Sequence, residues 1–394
     1  MKHRAVGAVL FGGGVLLLAL AAGLVFVVKP AMTKLPYDLD PTTSVAEAKG
    51  ATFLQITNGA VAINQADLKS TVQVTPERAK TAALSGDLAG DTVVWRVGQT
   101  VERTDTKELV SAYGAELALD RVSGAAVDWN EQFLDESGAP EKISFAGQVY
   151  KFPFDSAQEN YEVFDRDLRQ TRVSEFKGTE DVDGIEAYRY EQVITDEKLP
   201  LPADRVGLLL GVLAPGSTSG DVVYSNTRTV WVDPVTGSYL NVREQQKKVL
   251  VPNVGTPVTL LSADFSYNDE TVASSVERAK TSRGQLTILG VYAPIGIAVL
   301  GLVLIVVALL LSRRSAPAAP TAVAATPAAK PAAAPAAGPA ADPTPTRVDQ
   351  TPVRDDEREG GPLTDEIPPA STNWKSDEPT VPTQRPAQGE SEKK

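Results

Sequence analysis

Residues 5–28 and 286–311 are stretches of 24 and 26 residues without one charged side chain. A hydrocarbon core of about 30 Å needs about 20 apolar residues at 1.5 Å rise each, so both can cross a bilayer with some tilt. An isolated span must satisfy its backbone hydrogen bonds internally, which makes both of them helices. Lys2 and Arg4 precede the first span, and Arg313 and Arg314 follow the second. The positive-inside rule therefore puts both termini in the cytoplasm and residues 29–285 outside it. Ala19-Leu20-Ala21 also fits a small-x-small signal-peptidase site. Cleavage there would leave AGLVFVV as an apolar stub, so an uncleaved signal anchor is the better reading. The expected layout is a cytoplasmic N-terminus (1–4), a first transmembrane helix (5–28), an extracytoplasmic domain (29–285), a second transmembrane helix (286–311) and a cytoplasmic tail (312–394), in the plasma membrane.

Both spans carry small residues along one side. Ala8, Gly12, Ala19 and Gly23 fall within about 60° of one another on a helix of 3.6 residues per turn, and Gly290, Pro294, Gly301 and Ala308 do the same. Small residues let helix backbones approach closely, so these positions are expected to mediate helix packing, between the spans or in a homo-oligomer. Neither span has a charged face of the kind that lines an aqueous pore.

The region between the spans reads as mainly β, with a minor helical part. Asp91–Asp105 and Glu108–Asp120 look like long strands joined by a short polar turn, and TRTVWVD alternates apolar and polar residues. LDRVSGAAVDW from Leu119 and VDPVTGSYLNV from Val232 share the pattern Asp-x-Val-Ser/Thr-Gly. In each, the Asp side chain can bond the turn backbone, and Gly124 or Gly237 can take positive φ. Residues 76–86 and 204–213 are short helix candidates, the latter also readable as a strand. Asn268–Leu286 has a capping residue, early acids and late bases, so it is expected to be a helix feeding the second span. The tail is alanine- and proline-rich with almost nothing to bury, and is expected to be disordered. Trp374 stands alone in it as a candidate binding motif.

Composition removes several functions. The chain has no cysteine and one histidine, His3, so Ser–His, Cys–His and ordinary zinc chemistry are absent from the outer region. No phosphate-cradling glycine loop occurs, and no pair among the acids stands out as a catalytic couple. EDVDG (Glu180–Gly184) has oxygen ligands beside a glycine but lacks the ligand series of a calcium hand, and a hairpin turn explains it as well. The expectation is a protein that is not an enzyme and has no cofactor or metal. Net charge is −12; the two ends carry +2 and −2, which leaves about −12 on the outer region. That argues against a nucleic-acid partner and against docking on anionic headgroups.

Aromatic residues make up 6% of the chain, yet YKFPFDSAQENYEVFD holds Tyr150, Phe152, Phe154, Tyr161 and Phe164. Pro153 confines the first half to an edge strand or strand end. If extended, Tyr150, Phe152 and Phe154 share one face, and a helical turn would put Tyr161 beside Phe164. The segment is then either a core anchor or a surface that grips a ligand.

With KLPYDLD after the first span, this aromatic segment, RTVWVDPVTG and the closing span, residues 1–312 resemble the actinobacterial porin PorA family of membrane proteins, a domain of unknown function. The resemblance implies no catalytic residues, and the family's name implies a channel. The layout of two spans around a large outer β domain also resembles class B scavenger receptors, which carry lipid through a hydrophobic tunnel. Three functions follow as expectations: an outer domain that binds or handles an apolar or glycolipid envelope component or scaffolds partners, an oligomeric channel, and a membrane anchor that signals through its tail.

Overall fold

The first span is one continuous helical rod. In the computed structural model, which describes residues 2–313 apart from 58, 59 and 137, α1 (Lys2–Gly23) runs through a π-helical turn (Leu24–Val28) into α2 (Lys29–Met32). The tail beyond residue 313, with Trp374, lies outside the described residues. A nine-residue linker leads to the hairpin of β1 (Thr42–Thr57) and β2 (Ala60–Pro76), then α3 (Arg78–Ala83), β3 (Thr92–Arg103) and β4 (Leu109–Asp120). Short strands β5 (Ala126–Val127), β6 (Phe133–Asp135) and β7 (Glu141–Lys142) follow, then β8 (Tyr161–Asp165), β9 (Gln170–Val182) and β10 (Ile185–Lys198). After α4 (Ala203–Leu213) come β11 (Gly220–Val232), β12 (Tyr239–Pro252) and β13 (Val258–Tyr267). The chain closes with α5 (Asp269–Thr287), a π-helical turn (Ile288–Tyr292) and α6 (Ala293–Arg313), the second span.

Among the described residues, thirteen strands form one antiparallel sheet in the order β7-β6-β4-β3-β2-β1-β13-β12-β11-β10-β9-β8, with β5 also on β4. The long strands alternate as half-buried strands must: along β11, Val222, Tyr224, Asn226, Val230 and Val232 point into the protein. A sheet of this length exposes two edges unless it closes. Here Gln148 bridges Ala125 on one side and Val163 of β8 on the other. The Ala126 amide donates to the Gly147 carbonyl (2.8 Å), Gln148 donates to Glu162 (2.8 Å), and Phe164 donates to Gln148 (2.8 Å). The result is a barrel with residues 147–156 as its seam.

One end of the barrel faces the spans. The linker's Leu35 amide donates to Arg121 (2.7 Å) at the β4–β5 turn, and Arg283 of α5 pairs with Asp233 at the β11–β12 turn. α5 begins as its sequence requires, with the Asn268 side chain accepting from the Thr271 amide (3.0 Å). Its Val272, Val276 and Ala279 pack on Ile185, Ala187 and Leu240. EDVDG is the β9–β10 turn, where Asp183 (φ 48°) and Gly184 (φ 82°) make the tight reversal and the Gly184 amide donates to Asp181. Residues 204–213 are helical, and Leu209 and Leu210 of α4 are the residues it buries.

The spans pack against each other, but not on both expected stripes. In the second span Gly290, Pro294, Gly301 and Ala308 are buried. In the first, Ala8, Gly12 and Ala19 are exposed and Gly23 is half-buried, while Gly7, Gly14 and Ala21 are buried. A Cβ on Gly14 would lie 2.6 Å from the Gly301 carbonyl oxygen, and one on Gly301 would lie 2.8 Å from that of Gly14. Two glycines thus make the closest approach. Gly12-Gly13-Gly14 offers small residues in three directions, and composition alone does not choose among them. The partner's heptad of Pro294, Gly301 and Ala308 does, by matching Gly7, Gly14 and Ala21 at the same spacing.

Candidate functional site

The barrel encloses a cavity of about 720 Å³. It starts beside the spans, where Met32, Gln285 and Leu286 line it, and continues up the barrel to Lys248. Tyr239 and Lys248, nine residues apart on β12, both face it, a span of roughly 30 Å at the usual rise per strand residue. Much of the wall is apolar: Val72, Val74, Trp95, Phe145, Phe164 and Phe265 contribute to it. α5 supplies the base with one helical face, Ser275, Arg278, Ala279, Ser282 and Gln285, at the i, i+3, i+4, i+7 spacing that a single face requires.

The charges in this wall run opposite to those of the protein. Six lining residues are basic (Lys34, Lys151, Arg166, Arg228, Lys248, Arg278) and two are acidic (Asp167, Glu244), in a chain of net charge −12. In the upper part the cations are paired. Lys248 contacts Asp167 at 2.6 Å, Arg228 contacts Glu244 at 2.6 Å, and Arg166 lies against the Tyr113 ring at 4.1 Å with Asp167 at 3.6 Å. Burial alone would raise the Asp167 pKa, but Lys248, Arg166 and Arg228 hold it down at about 2. Asp165, buried behind this layer, goes the other way, because burial outweighs the pull of Arg228.

Lower down, Lys151 is 5% exposed. Its ammonium donates to the carbonyls of Thr236 and Phe152 and sits 3.9 Å from the Phe154 ring centroid. Burial pushes its pKa down to about 7, with Asp233 acting weakly against the shift. The Asp233 carboxylate is engaged elsewhere, by Arg283 (2.5 Å), Thr236 (2.5 Å) and the Val235 amide (3.1 Å).

The five aromatic residues divide between two environments. Phe152 is fully buried in a cluster with Tyr161, Tyr190 and Tyr239, at ring separations of 5.0, 4.7 and 5.9 Å. Tyr150 and Phe154 face the cavity, where the Tyr150 and Tyr113 hydroxyls are 3.2 Å apart. Burial and the neighbouring Tyr113 keep the Tyr150 phenol well above its usual pKa. Phe164 packs on Phe145 at 5.0 Å on the cavity wall. The expectation that Tyr150, Phe152 and Phe154 share one face is therefore corrected. Residues 150–154 form no regular strand, because both flanking turns dictate their path. Tyr161 and Phe164 lie on strand β8, not a helical turn, and three residues apart on a strand means opposite faces.

Those flanking turns are the two Asp-x-Val-Ser/Thr-Gly repeats. Gly124 (φ 68°) and Gly237 (φ 70°) both have positive φ, and both press on the seam. The Phe152 amide donates to the Gly237 carbonyl (2.8 Å), and Asp155 and Ser156 donate to Val235 and Pro234. From the other side a Cβ on Gly124 would lie 3.2 Å from the Lys151 Cγ. Sequence reasoning missed Lys151, Arg166, Arg228 and Arg278. The one available signal was a lysine inside an otherwise apolar run, Tyr150-Lys151-Phe152, in a segment that Pro153 keeps from alternating as a regular strand.

These features define a membrane protein in which two packed helices carry a closed, hollow β domain. The sequence model of the family Porin PorA matches residues 6–310, and the chain belongs to that family. Identity to its named relatives is low. A "Porin PorA" of Corynebacterium amycolatum is 24% identical over 272 residues, covering 56% of this chain and 70% of the relative. A "Porin PorA" of Corynebacterium resistens is 24% identical over 295 residues, covering 56% and 71%.

Proposed function

We propose that this is a non-enzymatic protein of the cell envelope whose barrel, held outside the cytoplasm, takes the apolar part of a lipid or glycolipid from the adjoining membrane and shelters it in the cavity. The observation that carries the reading is the position of the cavity: its base is made by Met32 and Leu286, next to the two spans. A cavity of about 720 Å³ is in the range of small-molecule sites and is mostly walled by aromatic and aliphatic groups. Burying such an amphiphile's chain would recover about 25 cal/mol per Å² of apolar surface.

The test is photo-crosslinking of the full-length chain in nanodiscs with a diazirine-bearing sixteen-carbon lipid, the labelled peptides being mapped by mass spectrometry. Label is expected on cavity peptides such as those holding Phe154 and Tyr239. Ala46→Trp, at a half-buried lining position on β1, is expected to cut that label at least fivefold. Label confined to the spans would overturn the reading.

The family's name supports a second reading, a channel. The barrel itself is not built to sit in a bilayer. Its outer face carries pairs such as Arg243 with Asp264 (2.6 Å), where a membrane barrel needs an apolar band about 25 Å tall. Conduction would then require several copies to assemble around the spans. Discrete conductance steps from the purified chain in planar bilayers would favour this reading.

A further inference from the structure

Two cations in the lower part of the cavity have no carboxylate within hydrogen-bonding distance among the described residues. Lys151 is bonded to the backbone carbonyls of Thr236 and Phe152, and Arg278 is bonded to the Ser275 hydroxyl at 3.0 Å. Around them the wall offers Ser238, Ser282 and Gln285, which are neutral donors. Burying an ammonium without a counter-ion costs several kcal/mol, and the two acids that do line the cavity, Asp167 and Glu244, are taken by Lys248 and Arg228 higher up. The barrel thus holds an excess of positive charge at the level where a ligand entering from the membrane would first leave lipid. The acidic outside of the domain has no need of this arrangement, and repels the anions that the inside attracts.

We propose that the cavity selects amphiphiles whose head group is an anion, a carboxylate or a phosphate, and that Lys151 is the residue that holds it, with Arg278 guiding it in from the membrane side. This rests on reading the cavity as a lipid site. An anion there supplies the counter-ion that the Lys151 ammonium lacks, and a charge-assisted hydrogen bond to a buried cation is stronger than a neutral one. An amphiphile of the same length with an alcohol head satisfies the apolar wall equally and leaves the cations unpaired. Selection therefore rests on the head group.

The experiment compares two probes with the same diazirine-bearing sixteen-carbon chain, one an alkyl phosphate and one the alcohol, on the full-length protein in nanodiscs. The phosphate is expected to label cavity peptides at least tenfold more than the alcohol. Lys151→Met, which keeps the length and the apolar stem, should bring the phosphate down to the level of the alcohol. Arg278→Gln, at an exposed position on α5, should lower phosphate labelling about threefold. Excess inorganic phosphate should not compete. Equal labelling by both probes in the wild-type protein overturns the selection and leaves the lipid reading standing; no cavity label from either overturns both. A Lys151→Met protein that melts normally and still prefers the phosphate shows that Lys151 only braces the two turns. Competition by inorganic phosphate shows a site for the free anion and overturns the amphiphile. If Lys151→Met does not fold, the wild-type comparison and Arg278→Gln still decide.

Discussion

The turns at 120–124 and 233–237 share a sequence pattern, a backbone conformation and a binding partner, yet they are anchored differently. In both, an aspartate closes the loop: Asp120 accepts from the Val122 and Ser123 amides and the Ser123 hydroxyl, and Asp233 accepts from Val235 and Thr236. Both press a glycine on the seam that closes the barrel. The 233–237 turn is sunk between the seam and α5, with Asp233 fully buried and paired to Arg283. The 120–124 turn lies against the linker and leaves Val122 48% exposed. The pattern specifies how the chain reverses direction. How much the reversal matters is set by what lies behind it, and here that is the helix that leads into the membrane.

Glycine substitutions should show the largest difference. At Gly237 a Cβ would overlap the Phe152 and Pro153 carbonyl oxygens, both backbone, so the seam itself must move. At Gly124 the contacts are 3.2 Å to the flexible Lys151 side chain and 3.3 Å to the Phe152 oxygen. A left-handed alanine costs on the order of 1 kcal/mol by itself, and displacing packed backbone adds roughly 1–3 kcal/mol. Gly237→Ala is therefore expected to lower stability by about 3 kcal/mol, and Gly124→Ala by about 1 kcal/mol. Denaturation of the full-length chain in detergent, followed by tryptophan fluorescence, measures both. Equal losses would mean that the two turns bear on the seam alike.

The aspartates come next. Asp233→Ala leaves the Arg283 guanidinium without its carboxylate at the junction of barrel and span, and is expected to cost about 2–3 kcal/mol. Asp120→Ala removes only local turn bonds and should cost about 1 kcal/mol. The double mutant Asp233→Ala with Arg283→Met should recover part of the first loss, since the cation is gone too. Simple additivity in that cycle would show that the ion pair contributes nothing beyond the turn.

Much of the scaffold was legible in the sequence, and the difference between the turns shows where legibility ended. The spans, the strands at 92–103 and 109–120, the capped helix from Asn268 and the turn glycines all follow from short-range rules: apolar run length, alternation, capping and positive φ. Barrel closure does not, because it depends on Gln148 meeting Ala125 and Val163 across a long loop. For the same reason the aromatic run was read as one face when it is a seam with two. The first span packs on Gly7, Gly14 and Ala21, a different face from that of Ala8, Gly12 and Ala19, because its triple glycine is degenerate until the second span is present. Apart from Lys151 in its apolar run, the cavity's cations leave no mark in the sequence, because an arginine that faces a cavity looks there like any other arginine.

A pH dependence tests the group that both turns hold between them. Burial lowers the Lys151 pKa to about 7 from a usual 10.5. Between those values the unfolded chain binds more protons than the folded one, so stability rises with pH across that window. Below about pH 7 the lysine is charged in both states, and the full cost of burying its charge is present. In the ligand-free protein this residue should contribute a slope of roughly 1 kcal/mol per pH unit between pH 7 and 9. Lys151→Met has no proton to lose and should lack that component. The measurement is the difference in unfolding free energy between the wild-type protein and Lys151→Met at pH 7, 8 and 9, so that all other titrating groups cancel. The wild type should gain on the variant as pH rises. A difference that does not change with pH would mean that Lys151 keeps its charge when folded, and that Asp233, despite its engagement with Arg283, serves both turns' neighbours as counter-ion.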